Sequence, residues 1–344
     1  MGLDLQYIFN QFVIETTGFE ITKFGTGLIH GTYLVSQNNK PVYILQEINT
    51  AVFKSPETIA ANLESLSVFL NERNQQIFFP VAQKTLSGNS YCIEQGKYYR
   101  LTKFVEGSHS IDSCATPNDA YEAALQFGKF TAAFKDFDVS KINPTIPQFH
   151  DLSFRWKQFS DSLANGNKDR IKFAEKEISQ ITQDYKIVQK FNEIKVSASF
   201  KQRVTHHDTK ISNVLFSEEG KGVCVIDLDT VMPGYFISDL GDMFRTYLAS
   251  ATEEEVDFSL IIARPDFYKA LVQGYLENMS DQMTTEEIDQ IDYAGEFMIY
   301  MQALRFLTDF LNDDIYYGTK YELNNYNRTV NQLILLDQFR KIEK

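Results

Sequence analysis

The stretch RVTHHDTKISNVLFSEEGKGVCVIDLDTVMPG, residues 203–234, decides how the chain is read. Two apolar runs flank the turn segment SEEGKG, the pattern of a β-hairpin. Pairing Val214 to Ser217 antiparallel with Val223 to Leu228 around Glu219 and Gly220 makes opposed residue numbers sum to about 440. Asn213 then faces Asp227 within a residue or so, and an amide oxygen and a carboxylate converge. Because side chains alternate along a strand, Val223, Val225, Asp227 and Asp229 are expected on one face, with Cys224, Ile226 and Leu228 on the other.

Hard oxygen ligands, few in number, suit Mg²⁺, which is commonly held jointly by protein carboxylates and nucleotide phosphates. His206 and His207 are poor ligands for that ion. Asp208 precedes Asn213 in the spacing D-x-K-x-x-N, beside the place where the metal would hold a triphosphate, and is positioned to accept a hydroxyl proton. Lys210 offers a cation for the transferred phosphoryl group. Each fragment alone is commonplace, since Asp and Asn cap turns and acidic residues after a strand are often solvated. Their joint occurrence in one hairpin, between a small sheet upstream and a helix beginning at SDLGD, points to phosphoryl transfer.

Upstream, FEITKF, GTYLVS, PVYILQEIN, IFFPVAQ, SYCIEQ and KYYRLTKFV read as short strands separated by turn signals. One helix interrupts them, with Ser55 as N-cap, Pro56 at its first position, and Ile59, Leu63, Leu66 and Leu70 at helical spacing. After Gly107 the pattern is helical: one helix opens at Thr116 and Pro117, and another at the capping-box pair Thr284 and Glu287, continuing through LRFLTDFL. The expected fold class is therefore α+β and bilobal. An N-terminal lobe, residues 1–105, carries an antiparallel sheet with one helix, and a mainly helical C-terminal lobe, residues 106–344, contains the catalytic hairpin. No repeat or flexible linker separates them, so a ligand cleft is expected between the lobes.

The bulk composition agrees with a folded enzyme. The chain has 344 residues, 43% hydrophobic and 14% aromatic, enough to fill a sizeable core. A net charge of -13 argues against a nucleic-acid surface, so bound phosphates need a local device. Cys92, Cys114 and Cys224 fit neither a disulfide framework nor paired zinc-ligand spacing. No run approaches the roughly 20 apolar residues of a membrane span, the N-terminus has no leader pattern, and Gln6 speaks against N-myristoylation. A cytoplasmic protein, monomeric or weakly dimeric and without membrane or nucleic-acid partners, is the expectation.

The pattern His206, Asp208, Asn213 and then Asp227 resembles the aminoglycoside and choline phosphotransferase branch of the protein-kinase-like fold. More narrowly, YILQEINTAVFKSPE, THHDTKISNVL, VIDLDTVMPG, DLGDMFR and LRFLTDFLNDDIYYGTKY are similar to segments of N-acetylhexosamine 1-kinases, which phosphorylate the anomeric hydroxyl of GlcNAc or GalNAc. That resemblance implies Asp208 as catalytic base and Asn213 and Asp227 as Mg²⁺ ligands, with Asp229 a further contact. It implies adenine along Leu101, Lys103, Phe104 and Val105, and Arg305 and Tyr316 near the sugar. It makes FGTGLIHGTYLV the loop over the phosphates, with Gly25, Gly27 and Gly31. Two departures stand out. Leu28 occupies the place where those kinases carry a sugar-contacting histidine, and His30, two positions later, is the candidate sugar contact; Gln46, a candidate nucleotide-binding residue, sits where protein kinases carry a strand lysine, as it does in the sugar-kinase subgroup.

The expected activity is thus transfer of the γ-phosphoryl of ATP, with Mg²⁺, to the anomeric hydroxyl of an N-acetylhexosamine. The alternatives are another small alcohol (choline, an amino alcohol or an aminoglycoside) or a nucleotide-binding regulator without turnover. Asp239 is expected to brace the loop that carries Asp208, and His109 and His150 to face solvent.

Overall fold

The computed structural model describes residues 4–13, 17–25, 30–75 and 77–343. Its fold is α+β. A five-stranded antiparallel sheet is built from β1 (Phe19–Lys23), β2 (Gly31–Gln37), β3 (Lys40–Ile48), β4 (Cys92–Glu94) and β5 (Lys97–Lys103), in the order β1-β2-β3-β5-β4. A short helix, α1 (Leu5–Phe9), packs Ile8 and Phe9 against Val35, Leu45, Tyr99 and Leu101 of that sheet, forming a small separate core. The helix between β3 and β4, α2 (Pro56–Glu72), packs elsewhere. Its Ile59, Leu63, Leu66 and Leu70 belong to the large core of the helical part, together with Phe127, Phe134 and Leu228.

IFFPVAQ is not a strand. Pro80 has no N–H to contribute to a ladder, Val81 N–H folds back onto the Phe79 carbonyl at 2.9 Å, and Ala82 alone bridges to Thr102. Ser55 does stand before α2, but its side chain makes no capping hydrogen bond.

Beyond the sheet come β6 (Ser108–Ser110), α3 (Pro117–Ala133), α4 (Leu152–Asn165), α5 (Lys168–Phe173), α6 (Glu175–Gln183) and α7 (Lys186–Val196). Then follow β7 (Arg203–Thr205), β8 (Val214–Ser217), β9 (Gly222–Val225) and β10 (Met232–Gly234). The chain closes with α8 (Phe236–Tyr247), α9 (Pro265–Met279), α10 (Thr285–Ile288), α11 (Ile291–Leu311) and α12 (Asn324–Arg340). The capping box at Thr116 forms with Asp119, and that at Thr284 with Glu287. The second box opens only a short helix. Glu287 is fully buried in a two-oxygen pair with Arg203, both contacts 2.7 Å, which pins α10 to the start of β7 before the chain restarts as α11.

The hairpin forms with Val214 opposite Val225 and Leu215 opposite Cys224, and β6 joins it as a third strand. Regular pairing stops at Val225. Asp227 takes left-handed φ 59, ψ 59, and Leu228 to Thr230 form a 3₁₀ turn. Asp227 and Asp229 therefore do not share a strand face; the turn brings them together instead.

Helix α8, which braces the loop after β7, lies close enough to α11 that a Cβ at Gly241 would sit 2.3 Å from the Ala294 carbonyl oxygen. Gly241→Ala should destabilise the fold by about 1–3 kcal/mol through forced separation of these helices, read as a lowered midpoint of thermal unfolding.

Candidate active site

Asp208 is held by its neighbours on both sides. His206, wholly buried, donates from Nε2 to the Ile226 carbonyl at 2.9 Å, accepts the Asp208 N–H at Nδ1 at 3.4 Å, and packs edgewise on Phe127. Asp239 accepts the N–H of His206 at 2.9 Å and of His207 at 2.7 Å. Asp242 accepts the Thr209 N–H at 2.9 Å. Two carboxylates in the first turns of α8 thereby satisfy the amides of the loop, and His207 is held at φ 67, an uncommon conformation for a non-glycine residue.

Within the loop, Asn213 donates from Nδ2 to the Asp208 carbonyl at 2.9 Å and to its Oδ2 at 3.1 Å. The Lys210 ammonium lies 3.1 Å from the same Oδ2. Oδ2 is thus doubly held, and Oδ1 is left without a partner among the described residues. The Lys210 pKa is raised: burial works against its charge, but Asp208 outweighs it.

Across the hairpin the Ile226 N–H bonds to the Asn213 carbonyl at 2.8 Å, one residue from the pairing expected for Asp227. Asp227 makes no ion pair among the described residues. Burial, then the charges of Asp229 and Asp208, push its carboxyl up to about 6. A carboxylate crowded by carboxylates, beside an amide whose nitrogen is already committed and whose oxygen is left over, fits a divalent cation by its donor chemistry.

Asp229 has no exposed surface. Burial alone would raise its pKa, yet it falls to about 2 because Arg100 pairs with Oδ1 and His30 approaches Oδ2. The His30 Nε2 contact is 2.9 Å but poorly aligned as a hydrogen bond, while His30 Nδ1 accepts the Asn49 N–H at 3.1 Å and its ring stacks on Phe53. His30 therefore faces Asp229, not an open sugar pocket, and both oxygens of Asp229 are engaged by residues of the sheet part. His30, Asp227 and Asp229 still gather ligand atoms within 4.8 Å of one another.

A cavity of about 440 Å³ lies between sheet and hairpin, lined by Ile44, Gln46, Ala82, Val105, Leu215 and Ile226 among others. Lys103, Phe104, Asn213 and Asp227 also border it. Leu101 does not: alternation turns its side chain into the small core of the sheet, and Arg100 and Thr102 face the cavity in its place. Gly25 sits at φ 74 at the start of the loop after β1, whereas Gly27 and Leu28 lie outside the described residues.

Arg305 and Tyr316 meet at a second cavity of about 360 Å³, with Arg155, Asp309 and Tyr317. Asp309 is occupied by the N–H groups of Tyr316 at 2.7 Å and Tyr317 at 2.9 Å. Asp161 pairs with Lys157 at 2.6 Å. Burial and Arg305 lower the Arg155 pKa to about 10, and Arg155 Nε is buried without a partner. Two chains of contacts run from this cavity to the Asp208 loop. One passes from Tyr317 under Arg328, through Glu253 and Arg245, to Asp242. The other passes from Arg305 over Phe149, through His150, to His207.

His150 thus does not face solvent; its Nδ1 and that of His207 both contact Ser238 Oγ, and burial holds both imidazoles well below the usual range. His109 is exposed on β6 at the rim of the larger cavity. Sequence reading also missed Arg100 and Arg155. Arg100 had one indirect signal, the uncharged Gln46.

A small antiparallel sheet over a helical part, with Asn213 and Asp227 at the open end of a hairpin bordering a cleft and Asp208 on the loop before it, is the protein-kinase-like class of fold. Residues 20–283 match the phosphotransferase enzyme family, and the chain belongs to that family. Solved structures agree in fold. An aminoglycoside phosphotransferase from Alicyclobacillus acidocaldarius superposes with a TM-score of 0.67 at 12% identity, covering 99% of this chain and 96% of that one. A microcompartment-associated aminopropanol kinase gives 0.65 at 14%, covering 98% and 96%. A Plasmodium vivax ethanolamine kinase gives 0.56 at 15%, covering 98% and 88%. No helix among the described residues is long and apolar enough to cross a membrane.

Proposed function

We propose that the protein is an ATP-dependent kinase of a neutral small sugar, transferring the γ-phosphoryl to the anomeric hydroxyl of an N-acetylhexosamine. The observation that carries the choice of acceptor is the charge of the smaller cavity. It presents the guanidinium groups of Arg155 and Arg305 with Tyr316 and Tyr317, while its acids, Asp161 and Asp309, are already engaged. A cationic acceptor such as choline or an aminoglycoside meets like charge there, whereas a neutral polyol offers oxygens to the donors and a ring face to the tyrosines. The unpartnered Arg155 Nε suits a carbonyl or hydroxyl oxygen.

In this reading Asp208 Oδ1 takes the acceptor proton while Oδ2 stays fixed by Asn213 and Lys210. Lys210 offsets charge on the transferred group, since loose phosphoryl-transfer states are stabilised by cations and positioning. Asn213 Oδ1 and Asp227 would hold Mg²⁺, which when bound would neutralise phosphate charge; Asp229 would join them through Oδ2 by giving up His30, keeping Arg100 on Oδ1. Adenine lies along Lys103, Phe104 and Val105, with Gly25 at the phosphate end.

The test is ADP release from ATP and Mg²⁺ over a panel of N-acetylhexosamines, free hexoses, choline, ethanolamine and aminoglycosides. Turnover is expected on the neutral sugars, with loss of the reducing end in the product. Turnover on the cations alone would overturn the sugar assignment and leave a kinase; ADP release with none of them would overturn the kinase as well.

A further inference from the structure

We propose that Arg100 supplies, from β5, the cation for the nucleotide phosphates that Gln46 on β3 does not, so that the charge has moved one strand across the sheet. This rests on the nucleotide part of the kinase reading and is independent of the acceptor.

Gln46 and Arg100 are directly opposed in the β3–β5 ladder, so both side chains leave the same face of the sheet, toward the cleft. Gln46 does not approach the cleft as a cation would. It turns its carbonyl oxygen to Arg100 and accepts Nε–H at 3.0 Å, while its amide nitrogen reaches Thr32 Oγ1 at 3.5 Å. The glutamine is a holder and the arginine is what it holds. Nη1 is fixed on Asp229, which leaves Nη2 with no partner among the described residues. A guanidinium held at Nε and Nη1 keeps the two N–H groups of Nη2 for a ligand, and these suit phosphate oxygens.

The charge around the cleft makes the same demand. Asp208, Asp227 and Asp229 crowd the place where a triphosphate must lie, and Lys210 is already committed to Asp208. Without Arg100 the phosphates would enter a cluster of carboxylates with only the metal and Lys210, itself paired with Asp208, to offset them. With Arg100, phosphate binds at Nη2 while Nη1 remains on Asp229, and no rearrangement of the sheet is needed.

Binding of ATP, ADP and adenosine, measured by calorimetry on the full chain, tests this without reference to any acceptor. Arg100→Gln should weaken ATP and ADP about tenfold or more and leave adenosine within about twofold. Repeating ADP in EDTA should preserve the loss, which excludes an effect routed through Asp229 and the metal. Because Arg100→Gln strands the buried Asp229 charge, the pair Arg100→Gln with Asp229→Asn is measured alongside and should show the same phosphate-specific loss. Returning the charge to β3, as Gln46→Lys with Arg100→Gln, should recover most of the ADP affinity. Equal weakening of adenosine and ADP, unchanged ADP affinity, or no recovery from Gln46→Lys would each overturn the assignment. A wild-type chain that binds no ATP would overturn it together with the kinase reading, whereas any of the other results leaves that reading standing.

Discussion

Asp208→Asn should reduce turnover by about a thousandfold while nucleotide affinity stays within a few-fold of wild type. The substitution keeps the volume and an oxygen for Asn213 and Lys210, so the loop held by Asp239 and Asp242 has no reason to move. What is lost is a carboxylate oxygen able to take a proton. The loss therefore falls on kcat and hardly on the nucleotide KM, and saturating ATP does not rescue it. Steady-state ADP release with a parallel binding titration makes the distinction. An Asn variant with wild-type turnover would remove Asp208 from the reaction.

Asp227→Ala should instead damage the metal. Taking away the carboxylate leaves the Asn213 amide oxygen and Asp229, which is already paired with Arg100 and His30, and the apparent affinity for Mg²⁺ at fixed ATP should fall by about a hundredfold. ADP binding in EDTA should change little. A pH signature accompanies the effect. Burial and the neighbouring carboxylates raise the Asp227 carboxyl to about 6, so protons compete with the cation below that pH, and metal affinity in the wild type should climb as pH rises through it. In the Ala variant that step should vanish. A Mg²⁺ titration at several pH values that gives the same affinity for both proteins would overturn the role of Asp227.

The residues that could be read from sequence are those whose neighbours are close in the chain. The turn at Glu219 and Gly220 sets the pairing of β8 with β9, and so Asn213 could be set beside Asp227 from spacing alone. The side-by-side position of Asp227 and Asp229 was expected for the wrong reason. Strand alternation ends at Val225, and at Asp227 the backbone turns left-handed.

Arg100 was not legible because its meaning lies in a ladder partner on β3 and a carboxylate in the hairpin, both distant in sequence. His150 was hidden for the same reason, since Ser238 and His207 reach it through tertiary packing. Leu101 shows the finer limit. The segment borders the cavity, but which of its two alternating faces meets the cleft depends on which side of the sheet α1 covers.

The placement of α2 has a consequence for motion. Asn62 on that helix donates to the Asn143 carbonyl at 2.7 Å and to the Val231 carbonyl at 3.3 Å, and accepts the Asn143 N–H at 2.9 Å. With its apolar face in the large core as well, α2 travels with the helical part. A closure of the cleft would then move the sheet over α2, breaking or stretching the Tyr98–Glu57 and Lys84–Glu64 contacts that join the two. The seam between them is a cavity of about 220 Å³ lined by Ile59, Leu63, Val81 and Arg100. Arg100 lines both that seam and the cleft, so a change in the width of one would be felt in the other.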